Sequence, residues 1–299
     1  MMNSKYKEII EILGKERVGL NELMSNHTTF KIGGPADLFF EARTQEELKL
    51  ARENARKLDI PHFLLGGGSN ILFADKGYRG LIIKLKIEDF TVEGEKITAG
   101  SGLLLSKLVN LAMENSLSGL EFAVDIPGTV GGAVVDNAGA WQQSMGDLVQ
   151  KVAVLDENGI AGNIDKIDCS FEYRRSCFKG KNTVVLFAEL LLKKGNKNEI
   201  EKRMEEYLEK RSNQPKEPSA GCVFVNPKPV SAGELIEKCG LKETRIGDAQ
   251  ISGKHANFVV NLGNAKSSDV LKLVLLMKQK VKEKFGIDLI EEIVKIGEF

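Results

Sequence analysis

The chain has 299 residues with 42 basic and 42 acidic side chains, so its formal net charge is zero. This balance, without any basic block, argues against a nucleic-acid-binding or membrane-surface protein, and no apolar run approaches the length of a membrane span. Four scattered cysteines and three histidines lack the spacing of a zinc site. The charged start has no apolar signal segment, and we expect a monomeric cytoplasmic protein with reduced cysteines.

The first part of the chain predicts helices and strands in mixed order. A helix is predicted over residues 3–16, and Thr44 with Glu47 predicts a capping box for a helix that ends near Leu58. The segments "ADLFFEA" and "GLIIKL" have the composition of strands. The segment "FTVEGEKITAG" predicts a hairpin, and a helix follows near residues 104–115.

The second part continues this pattern. "KVAVLDENGIAG" predicts a hairpin, "NTVVLFAELLL" a long strand and residues 197–212 a charged helix, after which "NQPKEPSAG" has the composition of a linker. Beyond the linker we predict a strand over residues 222–225, a helix over 231–239 and a strand in "ANFVVNL". A long helix begins at Ser267, and "IDLIEEIVKIGEF" closes the chain as a strand.

These elements divide the chain into three predicted domains: residues 1–75, 76–200 and 201–299. Strands and helices do not alternate strictly. The order therefore favours an α+β fold over a doubly wound parallel sheet.

Two glycine-rich loops are the strongest local patterns, "LGGGSN" (Leu65–Asn70) and "PGTVGGAVVDNAGA" (Pro127–Ala140). Closely spaced glycines let backbone N–H groups converge on an anion, and no Cβ blocks a phosphate. Each loop alone is also compatible with a tight turn, but two together favour a pyrophosphate ligand. Neither has the strand–loop–helix context of a G-x-G-x-x-G motif, and "GDAQISGKH" departs from P-loop spacing.

Seven segments in order resemble the UDP-N-acetylenolpyruvoylglucosamine reductase (MurB) family of flavoenzymes. They are "NHTTFKIGGPADLFFEA", "LGGGSNIL", "IPGTVGGAVVDNAGAW", "FEYRRSCFKG", "PSAGCVFVNP", "GDAQISGKHANFVVN" and "LIEEIVKIG". The resemblance covers nearly the whole chain. It is to the shorter branch of the family, which lacks a tyrosine-bearing substrate loop.

The resemblance implies a two-part FAD-binding domain of the vanillyl-alcohol oxidase type, followed by a C-terminal α+β substrate-binding domain. It implies non-covalent FAD and NADPH as co-substrate. Reduced flavin would pass hydride to the vinyl carbon of UDP-N-acetylglucosamine enolpyruvate, giving UDP-N-acetylmuramate for peptidoglycan synthesis. The implied cofactor-binding residues are Leu65, Gly66, Gly67, Gly68, Ser69, Asn70, Pro127, Gly128, Thr129, Gly131, Gly132, Ala133, Asn137 and Gly139.

Three catalytic residues follow from the resemblance. Arg174 would bind the substrate carboxylate, since a guanidinium is planar, charged and able to hold two oxygens. Glu292 would help Arg174 to stabilise the enolate, and burial is expected to raise its pKa. Glu291 and Glu292 should point to opposite faces, so one of the two is expected to face solvent. Cys222 takes the place of the family's usual serine as proton donor, a role that a protonated thiol can fill.

Arg211, Asn226 and His255 would contact the UDP-sugar, although His255 is equally compatible with core packing. Asp125 stands where glycine is usual in the family, and Val135–Asp136 differ from the common aromatic residue or methionine. Two other functions stay open: an FAD-dependent oxidase of the same fold, and a nucleotide-sugar sensor without turnover. The absence of histidine from both glycine loops argues against covalent flavin attachment.

Overall fold

The computed structural model describes residues 3–299, which form helices and short strands in mixed order. The helices are α1 (Ser4–Leu13), α2 (Gln45–Lys57), α3 (Leu105–Glu114), α4 (Val130–Val135), α5 (Met145–Leu148), α6 (Lys197–Lys210), α7 (Ala232–Lys238) and α8 (Ser267–Phe285). Within the same residues, no helix is both long enough and apolar enough to cross a membrane.

The strands are short, and most of them pair in antiparallel fashion. They are β1 (Val18–Leu23), β2 (Pro35–Ala42), β3 (His62–Leu65), β4 (Ile71–Phe73), β5 (Tyr78–Leu85), β6 (Phe90–Glu93), β7 (Lys96–Gly100), β8 (Leu117–Ser118), β9 (Gly139–Ala140), β10 (Gln143–Ser144), β11 (Val149–Leu155), β12 (Ala161–Asp165), β13 (Val184–Leu191), β14 (Lys193–Lys194), β15 (Ser219–Cys222), β16 (Arg245–Ile246), β17 (Ala249–Ile251), β18 (Phe258–Asn261) and β19 (Val294–Ile296).

Three larger sheets have the strand orders β1-β2-β5-β3, β12-β11-β13-β7-β6 and β15-β18-β17-β16. Both predicted hairpins are confirmed, because β6 pairs with β7 and β11 pairs with β12 in antiparallel register. The predicted α+β fold is therefore confirmed.

Contacts between backbone segments divide the chain into two compact units. The first unit holds the segment that ends at Gly19 together with Phe39–Gly67 and Ile82–Lys210. The second unit holds Leu20–Leu38, Gly68–Leu81 and Arg211–Phe299. The three-domain division from the sequence stays a prediction, and the first two residues of its first domain lie outside the described residues.

The core of the first unit surrounds strand β13, which lies in the middle of the five-stranded sheet. Its sequence VVLFAELL is buried along most of its length because it has a neighbouring strand on each side. Helix α3 adds Leu105, Leu108, Val109 and Ala112, which are spaced at helical periodicity and belong to the same core. The sheet and this helix together support the loop that contains Pro127–Ala140.

The core of the second unit is built on α8, whose buried residues repeat every three to four positions as predicted. Its first turn is capped from a distant part of the chain. The Asp75 carboxylate accepts hydrogen bonds from the backbone N–H of Ser267 at 2.7 Å and of Ser268 at 3.2 Å. The Asp75 carboxylate thereby satisfies two N–H groups that a helix start leaves without intrahelical partners.

Two predictions near the C-terminal part were wrong in detail. The strand predicted over residues 222–225 ends at Cys222, where Gly221 has a φ of +74° and the register with β18 shifts. Beyond it, Phe224 forms only an isolated bridge with Glu291. The predicted closing strand is limited to β19, which pairs in parallel with β4.

The predicted capping box of α2 is only half formed. Thr44 Oγ1 accepts a hydrogen bond from the backbone N–H of Glu47 at 3.2 Å, as expected. The Glu47 carboxylate accepts from the backbone N–H of Arg43 instead of that of Thr44, and it also pairs with Arg17. The Arg17 guanidinium lowers the pKa of Glu47.

Candidate active site

The two glycine loops approach each other closely within the first unit. A Cβ added to Gly67 would lie 2.6 Å from the Cα of Gly128. Real Cβ atoms do not make contacts of this length, so only glycine at position 67 allows this backbone approach. The structure therefore brings together the two loops that the sequence singled out.

A buried hydroxyl faces the glycines of both loops. Thr129 is 5% exposed, and its Oγ1 has no hydrogen-bond partner among residues 3–299. A Cβ on Gly66 would lie 3.0 Å from this oxygen, and one on Gly132 would lie 3.8 Å from it. A buried hydroxyl without a partner costs roughly 1–3 kcal/mol. A phosphate oxygen would satisfy it, so this group of residues fits the pyrophosphate of FAD.

Two backbone N–H groups of the second loop bind carbonyls of the protein itself. The N–H of Gly131 donates to the carbonyl of Ser101 at 2.9 Å, and the N–H of Val130 donates to that of Leu103 at 2.9 Å. These two N–H groups hold the loop in place, which limits the predicted anion nest to its remaining residues.

The end of the first loop is fixed within the second unit. Gly68 has a φ of +66°, and a Cβ there would collide with the carbonyl oxygen of His27. The carbonyl of Gly68 accepts from the N–H of Thr29 at 3.1 Å, and Thr29 Oγ1 donates to the carbonyl of Ser219 at 2.7 Å. Thr29 thus ties the loop to strand β15, a role that the sequence did not reveal.

Arg174 lies at a strained position in the first unit. It belongs to a tight turn in which Glu172 and Arg175 exchange backbone hydrogen bonds of 3.0 and 3.1 Å. Its φ of +57° is in the left-handed region, which arginine adopts only when its surroundings impose it. Its Nη1 donates to the carbonyl of Gly139 at 3.1 Å, so the guanidinium is attached to the second glycine loop.

Asn137 holds the same turn with its side chain. It is 7% exposed, and its Nδ2 donates to the carbonyl of Glu172 at 2.9 Å. Its Oδ1 accepts from the N–H of Gly146 at 2.8 Å. Because both ends of the amide bind protein groups, the Asn137 side chain holds the second glycine loop against the arginine turn.

Asp125 precedes the second loop at a position where the resemblance expects glycine. Its φ is +60°, in the left-handed region. Aspartate is among the few residues with a Cβ that adopt this conformation. A left-handed backbone is the conformation that glycine adopts most readily, and aspartate is compatible with it.

In the second unit, the backbone brings the segments of Cys222 and Glu292 side by side. The N–H of Glu292 donates to the carbonyl of Val223 at 2.8 Å, and the N–H of Val225 donates to that of Ile290 at 2.9 Å. Cys222 and Glu292 are both partly exposed. Two residues that lie 70 positions apart are thus held on adjacent segments.

Asn257, which the sequence analysis missed, fixes this arrangement. It is fully buried, its Oδ1 accepts from the N–H of Phe224 at 3.0 Å, and its Nδ2 donates to the carbonyl of Phe224 at 2.8 Å. The side chain replaces a strand partner, which explains why β15 ends early. The only available signal was one polar residue inside the otherwise apolar "ANFVV".

Asn70, from the first glycine loop, braces Glu292 from another direction. Its Nδ2 donates to the carbonyl of Glu292 at 3.2 Å, and its carbonyl accepts from the N–H of Val294 at 2.9 Å. Asn70 and the C-terminal segment are therefore joined by two hydrogen bonds within this unit.

Glu291 is held in an ion-pair network and does not face solvent. Its carboxylate pairs with Lys278 at 3.0 Å and with Lys295 at 2.8 Å, and its side chain is only 17% exposed. Burial raises the pKa of Glu291, but the two lysines outweigh it and lower the pKa overall. The exposed residue of this segment is Ile290 instead.

Arg211 and Asn226, expected at the UDP-sugar, both lie in the second unit. Arg211 Nη1 donates to Gln214 Oε1 at 3.1 Å. Asn226 Oδ1 accepts from the N–H of Ala232 at 3.0 Å and so caps the start of α7. These contacts orient both side chains.

His255 is oriented by its own loop. Its Nδ1 accepts a hydrogen bond from the backbone N–H of Asn257 at 3.2 Å, which assigns the proton of the neutral ring to Nε2. Burial lowers the pKa of His255, so the neutral form is favoured. A neutral imidazole with Nε2–H can donate a hydrogen bond to a ligand.

The other three cysteines have inert surroundings. Burial raises the pKa of Cys169 to about 12 and also raises the pKa of Cys177 and of Cys239. A thiol with a raised pKa forms little thiolate at neutral pH. Raised pKa values are those of structural cysteines and not of reactive ones.

Comparison with known proteins identifies both parts of the chain. Residues 36–163 match a family described as FAD binding domain, and residues 214–296 match the UDP-N-acetylenolpyruvoylglucosamine reductase, C-terminal domain. The UDP-N-acetylenolpyruvoylglucosamine reductase of Clostridium tetani is 43% identical over 97% of this chain and 95% of its own length.

Solved structures agree with these matches. The structure of UDP-N-acetylenolpyruvylglucosamine reductase (MurB) from Thermus caldophilus has a TM-score of 0.81 and 39% identity, covering 92% of this chain and 98% of that one. A VAO-type flavoprotein from Myceliophthora thermophila has a TM-score of 0.50 at 10% identity, covering 64% of this chain and 47% of that one. The second likeness bears on the fold alone.

The match to the FAD binding domain, together with a fold like that of a VAO-type flavoprotein, defines a flavoprotein in which an FAD-binding domain is followed along the chain by a second α+β domain. Within that class, the chain belongs to the UDP-N-acetylenolpyruvoylglucosamine reductase family. The resemblance found in the sequence is therefore confirmed, and the protein is an oxidoreductase.

Proposed function

We propose that the protein uses NADPH and FAD to reduce UDP-N-acetylglucosamine enolpyruvate to UDP-N-acetylmuramate, a step in the cytoplasmic synthesis of peptidoglycan precursors. We expect it to act as a monomer with non-covalent FAD. The observation that carries the proposal is the hydrogen bond from Arg174 to the carbonyl of Gly139, because it attaches a cation in a strained conformation to the predicted cofactor loop.

FAD would be held by the two glycine loops. Gly66, Thr129 and Gly132 would surround the pyrophosphate, since the buried Thr129 hydroxyl lacks a protein partner there. When bound, FAD supplies the redox chemistry, accepting two electrons from NADPH and giving them up to the substrate. We propose that residues 1–75 and 76–200 form the two parts of the FAD-binding domain and residues 201–299 the substrate-binding domain.

Arg174 and Glu292 would stabilise the charge that develops during reduction. When the vinyl carbon of the substrate gains hydride, negative charge moves toward its carboxylate. A guanidinium with two parallel donors binds that carboxylate and its enolate form. A protonated Glu292 would donate a further hydrogen bond to the same oxygens, and Asn70 keeps its backbone in place.

Cys222 would deliver the proton that completes the reaction. A cysteine thiol has an ordinary pKa of about 8.5, so most of it is protonated at neutral pH. The carbon next to the carboxylate takes this proton as the enolate collapses, which leaves a thiolate that regains a proton from solvent. The segment of Cys222 is bonded to that of Glu292, which supports a common task for both residues.

Three residues of the second unit would bind the UDP-sugar. Arg211 offers positive charge for the diphosphate, while Asn226 and the neutral His255 offer hydrogen bonds. The contacts that orient these side chains within the protein support this assignment. An arginine suits an anionic ligand because its guanidinium offers N–H donors. Asparagine and neutral histidine suit a ligand that is rich in hydroxyl groups because they both donate and accept hydrogen bonds.

A substrate-dependent NADPH oxidation assay tests the proposal. The purified protein should carry a flavin that is released on denaturation, and it should consume NADPH rapidly only when the enolpyruvyl sugar is present. Formation of UDP-N-acetylmuramate is checked by mass spectrometry. An oxidase of the same fold would reduce its flavin with an alcohol or amine, and a sensor would bind the sugar without turnover; either result contradicts the proposal.

A further inference from the structure

Lys179 makes two polar contacts beside Arg174. Its Nζ lies 3.1 Å from the backbone carbonyl oxygen of Arg174 and 2.8 Å from Asp136 Oδ1. The side chains of Lys179 and Asp136 are 33% and 28% exposed, so this ion pair is partly exposed. The ammonium group therefore connects the arginine turn to the second glycine loop.

The contact matters because the arginine turn needs external support. The left-handed conformation of Arg174 is unfavourable for a residue with a Cβ and persists only when neighbouring groups impose it. The supports are Arg174 Nη1 on the Gly139 carbonyl, Asn137 Nδ2 on the Glu172 carbonyl, and Lys179 Nζ on the Arg174 carbonyl. Of these three contacts, only the one made by Lys179 brings a charged group to the backbone of Arg174 itself.

We propose that Lys179, held by Asp136, is a positioning residue that sets the direction of the Arg174 guanidinium toward a ligand carboxylate. The inference rests on the role proposed above for Arg174. Asp136 departs from the residues that the resemblance expects, and in this chain its carboxylate pairs with Lys179. Lys179 acts through Arg174 and need not touch the substrate.

A role of Lys179 in positioning Arg174 can be distinguished from a role in stabilising the fold. Partly exposed ion pairs contribute little to stability, so removing this one should change the unfolding temperature only slightly. A misdirected guanidinium, however, loses a charge-assisted hydrogen bond to the ligand carboxylate. That loss affects only ligands that carry the carboxylate.

The test compares two ligands on the FAD-loaded enzyme by isothermal titration calorimetry. One is UDP-N-acetylglucosamine enolpyruvate, and the other is UDP-N-acetylglucosamine, which lacks the carboxylate. Lys179→Met and Asp136→Asn should each weaken binding of the enolpyruvyl sugar about tenfold and leave binding of UDP-N-acetylglucosamine unchanged. Lys179→Arg should recover part of the loss. Lys181→Met, an exposed lysine two residues away, should bind both ligands like the original protein.

The outcomes separate this inference from the proposed function. Arg174→Lys serves as the reference and should abolish the preference for the carboxylate-bearing ligand. If Arg174→Lys does so while both Lys179→Met and Asp136→Asn keep the full preference, the positioning role is wrong and the proposed function stands. An equal loss for both ligands in the folded variants would also overturn it. If Arg174→Lys keeps the preference, the role proposed for Arg174 is wrong and this inference falls with it.

Discussion

The backbone N–H of Glu292 donates to the carbonyl of Val223 at 2.8 Å, which places the C-terminal segment directly beside the segment that carries Cys222. The segment that carries Cys222 is held on its other side by Asn257, whose backbone carbonyl accepts a hydrogen bond from the N–H of Val223 at 2.7 Å. The proposed proton donor and the proposed acid are thus positioned by one small hydrogen-bonded network within the second unit.

Asn257→Ala should disrupt this network. Both backbone groups of the buried Phe224 would lose their partner, at a cost of roughly 2–4 kcal/mol in the free energy of unfolding. Urea unfolding measures this change, with Asn264→Ala as an exposed control that should stay within about 0.5 kcal/mol of the original protein. Equal stability of the two variants would show that the amide of Asn257 does not support the segment.

Cys222→Ser should remain active, and Cys222→Ala should complete the reaction much more slowly. General acid catalysis contributes about 10²–10⁴-fold, so flavin reoxidation by substrate should slow by that factor in Cys222→Ala. Reduction by NADPH should be unaffected, because it does not use this proton. Stopped-flow absorbance measures the two half-reactions separately. A loss below about tenfold would indicate that the thiol only fills space.

Thr129→Val should weaken FAD binding without weakening the fold. The substitution keeps the shape of the side chain but removes the buried hydroxyl that lacks a protein partner. We expect about tenfold weaker FAD binding, and a thermal midpoint of the flavin-free protein that is unchanged or higher. Thr91→Val, on the exposed face of β6, is the matched control. Unchanged FAD affinity in Thr129→Val would place the pyrophosphate elsewhere.

His255 should make stability fall in mild acid. Burial lowers its pKa below the ordinary value of 6.5, so the folded state favours the neutral ring. The stabilisation is complete above about pH 6.5 and is lost as the pH falls through the lower folded pKa. Protonation also places a hydrogen on Nδ1, which faces the N–H of Asn257.

Urea unfolding between pH 8 and pH 5, taken as a rough range around the ordinary pKa of histidine, tests this dependence. His255→Gln should show a flatter decline than its parent. Because burial also lowers the pKa of His62, both proteins should carry His62→Gln. Parallel curves for the two proteins would rule out a contribution from His255.

The sequence predicted most regular elements because their signals are local. The apolar stripe of α8, the hairpins and the glycine loops each depend on residues close together in the chain. The resemblance added the candidate residues that belong to quoted motifs, such as Arg174 and Cys222. Local sequence patterns therefore predicted the helices, hairpins and glycine loops, and the resemblance supplied the candidate site residues.

Long-range polar contacts could not be predicted in this way. Asp75 caps a helix that begins 192 residues later, and Asn257 replaces a strand partner for Phe224. Neither residue has a local pattern that names its partner, because asparagine and aspartate serve equally well in turns and caps. The early end of β15 follows from such a contact, which is why its bounds were mispredicted.

An anaerobic single-turnover experiment on the purified protein tests most directly whether reduced FAD passes its electrons to the enolpyruvyl sugar. NADPH is added first and should bleach the visible flavin spectrum; the enolpyruvyl sugar is added next and should restore it, with one equivalent of UDP-N-acetylmuramate formed for each flavin. Addition of UDP-N-acetylglucosamine in its place should leave the flavin reduced. If the flavin stays bleached after the enolpyruvyl sugar is added, or if the protein binds no FAD, the protein does not catalyse the proposed reduction.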